Sequence, residues 1–264
     1  MIAVDGPAGA GKSSAARGVA TELGLRYLDT GAMYRALTWW LLDHGLDVTD
    51  PAVVAAHARR PVIEAGTDPG HPGISADGLD VSGPIRSRAV SNAVSAVASV
   101  PEVRAHLVAL QQDILARACA AGQGIVAEGR DIGTVVAPQA VVKVFLTASE
   151  EARAVRRSAD LAADPAATPG VTRDENKRRD HADAPQTVMA SDAIEVDSTV
   201  LSLDEVISLI VRVAGERGFP LASGGNPGLG QGVPGGRGAG PAQPGRHLPD
   251  SSVPPSRADT ARLS

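Results

Sequence analysis

The fold is decided by the opening stretch Met1-Ile-Ala-Val-Asp-Gly-Pro-Ala-Gly-Ala-Gly-Lys-Ser-Ser14. Gly6, four residues, then Gly11-Lys12-Ser13 is the spacing of a phosphate-binding P-loop. Gly6, Gly9 and Gly11 allow backbone conformations closed to residues with a Cβ, so successive N–H groups can converge on one concavity. Ile2-Ala3-Val4 reads as a buried strand, and Ser13 to Leu23 as a helix stopped by Gly24. That helix aims its free N–H groups and positive dipole end at the same point, which suits a bound phosphate. Residues Gly6, Pro7, Ala8, Gly9, Ala10, Gly11, Lys12, Ser13 and Ser14 are therefore expected to hold a nucleotide's phosphates. Lys12 would reach the β/γ-phosphates, and the Ser13 hydroxyl would ligate Mg²⁺.

Further along the chain, apolar strands alternate with helical segments. Leu25 to Leu28, Gly124 to Ala127, Val141 to Leu146 and Ala193 to Val196 read as strands. Ala32 to Leu42, Pro51 to Arg59, Ile85 to Val97 and a long segment to Ala120 read as helices. Ser149 caps a further helix. Capping boxes are expected at Ser99 with Glu102, Thr172 with Glu175 (a short basic helix, Arg173 to Arg179) and Ser202 with Glu205. Val103, Leu107, Leu110 and Ile114 would form one buried stripe, and Val206, Leu209, Ile210 and Val213 another. This alternation predicts an α/β fold, a P-loop NTPase-type parallel sheet flanked by helices. Ligands in such sheets bind beyond the carboxyl ends of the strands, where Gly6, Asp29 and Arg130 fall. Pro61 to Ser82 breaks the pattern: Val62 to Ala65, Gly73 to Ala76 and Leu79 to Val81 read as a small antiparallel insert. Trp39 and Trp40 are expected to pack against the sheet or this flap.

Composition sets the remaining bounds. With 43% hydrophobic residues but only 2% aromatic ones, the core must be built from Val, Ile, Leu and Ala. No apolar run approaches the ~18 residues of a membrane span. The P-loop strand stands at the start, leaving no room for a signal peptide, and so short a first strand is compatible with an upstream start codon. Cys119 is the single cysteine; it rules out a disulfide framework and reads as inert packing. A soluble, cytoplasmic chain follows. The net charge of −5 speaks against a general nucleic-acid binder. From Ser223 to Ser264, 10 Gly and 7 Pro with no apolar period predict a disordered tail (221–264) beyond a domain spanning 1–220.

A P-loop does not separate kinases from GTPases. The one Asn-Lys pair, Asn176-Lys177, runs into Arg178-Arg179 and not into a base-reading Asn-Lys-x-Asp. More specific are Leu28-Asp-Thr-Gly-Ala-Met-Tyr-Arg35, Asp80-Val-Ser82 with Ile85-Arg86, Val90-Ser-Asn-Ala-Val-Ser95, Glu128-Gly-Arg-Asp-Ile-Gly-Thr-Val-Val136 and Asp192-Ala-Ile-Glu-Val-Asp-Ser-Thr199. With the P-loop, these blocks resemble bacterial cytidylate kinases, in order from Met1 to about Gly218.

The resemblance implies transfer of the ATP γ-phosphoryl group to CMP or dCMP, with Mg²⁺. It also implies a nucleoside-monophosphate-binding insert at about 60–100, a short helical lid at about 150–186, and no demand for more than a monomer. By analogy Arg35 and Arg130 hold the acceptor phosphate. Ser95, Arg104 and Asp131 read the cytosine, and Thr30 and Tyr34 line the same pocket. Asp183 holds the sugar hydroxyl. Arg179 closes over the transferring phosphate with Lys12 and Arg130 as the catalytic cations, and Arg157 joins the ATP side. Arg153, Arg156, Arg173 and Arg178 are at least as well explained as solvated or ion-paired surface.

One departure stands out. Gln186 occupies the place of a second lid arginine, and the segment to Asp192 is about four residues short. The alternatives are thus a nucleotide-binding relative with impaired turnover, or a kinase of this fold with another small acceptor.

Overall fold

The computed structural model describes residues 1–160 and 168–219, all within the first of the chain's two units, Met1–Gly224. The expected tail, and residues 161–167 of the expected lid, lie outside the described residues. The central sheet comprises β1 (Ile2–Asp5), β2 (Arg26–Asp29), β6 (Ile125–Gly129), β7 (Val142–Thr147) and β8 (Ile194–Asp197). They run in the order β2-β6-β1-β7-β8 with every pair parallel, so β1 lies at the centre and its neighbours diverge on either side. The insert is an antiparallel sheet of β3 (Ile63–Ala65), β4 (Ile74–Ala76) and β5 (Leu79–Asp80). The expected strands fall within one or two residues of these spans.

Helices cover both faces. On one face α1 (Lys12–Glu22) and α8 (Leu203–Glu216) bury Val19, Ile210 and Val213 against Ile2, Val4 and Val144. On the other, α2 (Thr30–Asp43), α3 (Pro51–His57), α4 (Arg88–Ser99) and α5 (Pro101–Ala120) enclose Leu37, Leu41, Val97 and Leu107 with the insert's Ile63 and Ile74. The helices α6 (Glu150–Asp160) and α7 (Pro169–Asp183) pack against each other at the carboxyl edge of the sheet. Trp40 ties α2 to the insert: its indole N–H donates to Asp77 Oδ2 at 2.7 Å, and its ring stacks on His44.

Four local readings are corrected. Ser99 does not cap α5: Pro101 sets the first turn, Val100 is the cap residue, and the Ser99 hydroxyl donates back to Ala96 O. Thr172 lies buried inside α7, which begins three residues earlier at Pro169, behind the cap Thr168, whose hydroxyl accepts from Val171 N. Helix α4 starts at Arg88, capped by Ser87, and Ile85 belongs to a preceding 3₁₀ turn, Pro84–Arg86. Cys119 is exposed, not packed. The Ser202–Glu205 capping box is present. Of the expected stripe on α5, Val103 and Leu107 are fully buried, while Leu110 and Ile114 pack partly buried beside them.

Candidate active site

The loop between β1 and α1 takes the conformation its glycines permit. Gly6, Gly9 and Gly11 all have positive φ. At Gly6 a Cβ would stand 2.1 Å from the Leu146 carbonyl oxygen, so the position is closed to any side chain by sterics as well as by φ. Gly11 is the left-handed N-cap of α1 and no side chain caps that helix, which leaves its first N–H groups facing the cleft. Lys12 is buried and its ammonium donates to Pro7 O at 2.8 Å, bracing the loop from inside. Burial, and after it Arg130, pull the Lys12 ammonium below its ordinary pKa.

One amide of the loop is taken. Asp180, on α7, accepts from Ala8 N at 3.0 Å and is itself held by Arg153, which also donates to Ala8 O at 3.0 Å. Arg156 donates to Ser198 O and Oγ at the end of β8. Arg153, ion-paired to Asp180, and Arg156, hydrogen-bonded to Ser198, thus tie helix α6 to the P-loop, to α7 and to the end of β8.

Beside the loop, β2 and β6 end in carboxylates placed opposite each other, Asp29 against Glu128. Glu128 is fully enclosed. Its Oε1 accepts from the Ser13 hydroxyl at 2.5 Å and from Tyr27 OH at 3.2 Å. Burial, then the Asp29 charge, raise its pKa. The Ser13 hydroxyl and the buried Glu128 carboxylate, with a second carboxylate near, are hard oxygen donors, and the Lys12 charge and the Ser13 and Tyr27 hydroxyls offset only part of what burial costs Glu128. Those donors fit a divalent cation such as Mg²⁺. Sequence reasoning picked out Ser13 and missed Glu128, whose part depends on the β2–β6 register.

Two clefts meet at this loop. One, of about 600 Å³, runs along Gly9 to Ser14 toward Ser198 and Leu201. The other, about 210 Å³, is lined by Thr30, Tyr34, Arg35, Ser95, Arg104, Arg130, Asp131, Arg157, Arg179, Asp183 and Gln186. Every residue expected on the acceptor side therefore faces one cavity, although they come from α2, α4, α5, the end of β6 and α7. Gly6 and Pro7 line neither cleft and contribute backbone oxygens behind it, Gly6 O to Arg130 and Pro7 O to Lys12.

The second cavity has two chemically distinct walls. On one, Arg104 is ion-paired to Asp131, while Tyr34 OH and Ser95 Oγ are buried without a hydrogen-bond partner among the described residues. Burial pushes the Tyr34 hydroxyl up to about 12, so it remains a donor. Orphaned buried hydroxyls are costly and point to a ligand that satisfies them. On the other wall are cations. Arg130 donates twice to Asp183 Oδ2, at 3.2 and 3.0 Å. Arg35 donates to Ile85 O at 3.1 Å and Ser91 Oγ at 3.0 Å. Burial, followed by Arg179 and Arg157, lowers Arg35 to about 9, and burial, followed by Arg130, lowers Arg179 to about 10. Both guanidinium groups stay charged at neutral pH, crowded by their own kind, and an anion placed among them would relieve that repulsion.

A sequence model of the family described as "Cytidylate kinase" matches residues 2–216. The chain is 52% identical over 221 residues to a cytidylate kinase of Streptomyces coelicolor, covering 82% of this chain and 93% of that one. It is 49% identical over 221 residues to that of Streptomyces avermitilis, with the same coverage, and 44% over 223 residues to that of Mycobacterium leprae, covering 82% and 96%.

Proposed function

The chain belongs to the cytidylate kinase family, and from that premise we propose that it transfers the γ-phosphoryl group of ATP to CMP or dCMP, giving ADP and CDP or dCDP. The observation that carries this is the second cavity's pairing of a carboxylate–guanidinium wall and two orphaned hydroxyls with a cluster of arginines, one step from the P-loop.

ATP occupies the larger cleft, its phosphates on the α1 N-terminus and Lys12. The acceptor's phosphate lies among Arg35, Arg130 and Arg179. Asp131 accepts from the cytosine amino group, Arg104 and Ser95 donate to the ring oxygen and nitrogen, Tyr34 and Thr30 complete the wall, and Asp183 takes the sugar hydroxyl. The acceptor phosphate, with a second pKa near ~6, is mostly a dianion at pH 7 and attacks without a strong general base. The protein's task is then alignment, charge stabilisation and exclusion of water, which is what convergent arginines from separate elements supply. Ser13 and Glu128 are the residues that would hold Mg²⁺, which when bound neutralises charge on the ATP phosphates.

The Ser13 hydroxyl donates to Glu128, so its lone pairs stay turned toward the cleft. Gln186 lines the acceptor cavity as a neutral group, yet Arg157 and Arg179 line it too. The cleft therefore keeps cations on the lid side and supports the active reading. An assay coupling ADP release to CMP, dCMP, UMP and AMP tests it: CMP and dCMP are turned over, UMP far more slowly and AMP negligibly. Equal turnover of AMP, or none of CMP, refutes it.

A further inference from the structure

A phosphoryl group passing from the donor to the acceptor cleft must cross the wall the two share. Among the described residues the cations lining both clefts are Lys12, Arg86, Arg157 and Arg179. Lys12 comes from the P-loop, Arg157 and Arg179 from the lid helices. Arg86 alone comes from the opposite side, on the 3₁₀ turn Pro84–Arg86 between the insert and α4. Its side chain is exposed to the clefts, and the described residues give it no ion-pair partner.

The turn that carries it is held by the acceptor site. Arg35 Nη1 donates to Ile85 O at 3.1 Å, one residue before Arg86, and to Ser91 Oγ at 3.0 Å just beyond it. The core holds the turn as well: Ile85 is buried and Ile85 N donates to Val81 O at 3.0 Å. Arg86 is thus a charge on a fixed base, close enough to Arg35 to add to the repulsion Arg35 feels.

We propose that Arg86 is a phosphate-binding residue for the group in transit, facing the lid cations from the insert side and set in place by Arg35. Charge in a phosphoryl-transfer transition state spreads over the three equatorial oxygens, so a cation on the insert side adds to those of the P-loop and the lid. Arg86 answers the lid from across the junction, where Gln186 brings no charge. The arrangement also links acceptor binding to catalysis, since the arginine that would grip the acceptor phosphate holds the Arg86 turn.

This inference rests on the ATP-to-cytidylate reading, and its test separates the two. The probe is a dinucleoside pentaphosphate joining adenosine to cytidine, which spans both clefts, alongside ATP and CMP singly. For Arg86→Gln we expect kcat to fall about 10²-fold, as on removal of one oxyanion-stabilising donor, and pentaphosphate affinity to fall about 10-fold or more. Affinities for ATP and CMP singly, and the thermal midpoint, stay near wild type; Arg86→Lys recovers part of both losses. A kcat within about twofold of wild type, or equal weakening of CMP alone, overturns the proposal. A wild-type chain that phosphorylates no cytidylate overturns the activity instead, and the pentaphosphate comparison between wild type and Arg86→Gln still decides Arg86.

Discussion

The two ends of the site are built from different materials. The donor end is backbone: one continuous run, Gly6 to Ser14, whose N–H groups and helix terminus are shaped by three glycines at positive φ. The acceptor end is side chains delivered by five separate elements and held by ion pairs, Arg104 to Asp131 and Arg130 to Asp183. A backbone site recognises what all nucleotides share, their phosphates. A side-chain site can tell one base from another, because each donor and acceptor is a separate choice. Changes at the donor end should thus abolish use of every substrate, and changes at the acceptor end should redistribute it.

The largest effect is expected at Gly6. A methyl group there would sit 2.1 Å from the Leu146 carbonyl, so Gly6→Ala should destroy the loop, remove detectable ATP binding by calorimetry and lower the thermal midpoint. Next, Lys12→Met should leave the fold intact while cutting kcat about 10³-fold with every acceptor. Arg130→Gln should cost about 10²-fold in kcat/KM for CMP, with ATP affinity little changed; it also leaves the buried Asp183 without its partner. Asp131→Asn should be milder and more telling: CMP loses about 10- to 100-fold in kcat/KM, the price of a buried polar mismatch of roughly 1–3 kcal/mol, while UMP loses less. A uniform loss for CMP and UMP would break the contrast between the two ends. Smallest, Trp40→Phe removes the indole bond to Asp77 and should lower stability by about 1 kcal/mol in thermal unfolding without altering base preference.

The same contrast explains what the sequence made legible. The P-loop is local: strand, glycines, lysine and helix are contiguous, so φ preferences and helix physics suffice to read it. The strands were equally readable, because a sheet buried on both faces demands all-apolar runs such as Val141 to Leu146. The residues proposed to hold the acceptor were legible only through the resemblance of the blocks that carry them, since nothing in the spacing of Arg35, Ser95, Arg104 and Asp131 says that they meet. Glu128 and Arg86 stand in blocks that carry the resemblance, but the parts proposed for them come from tertiary placement, the Asp29–Glu128 register in one case and a turn between two clefts in the other. The misplaced caps share a cause. At both Ser99 and Thr172 a proline, Pro101 or Pro169, fixed the helix start, and a proline at the first turn outweighs a capping pattern read from side-chain types alone.

The proposed reaction is one transfer between these two ends, and phosphorus-31 NMR of the chain with ATP, Mg²⁺ and CMP observes it directly. The expected result is growth of CDP and ADP resonances in equal amounts, at a turnover of order 1–100 per second. ADP appearing without CDP, or both nucleotides bound with no new phosphorus signal, would contradict it.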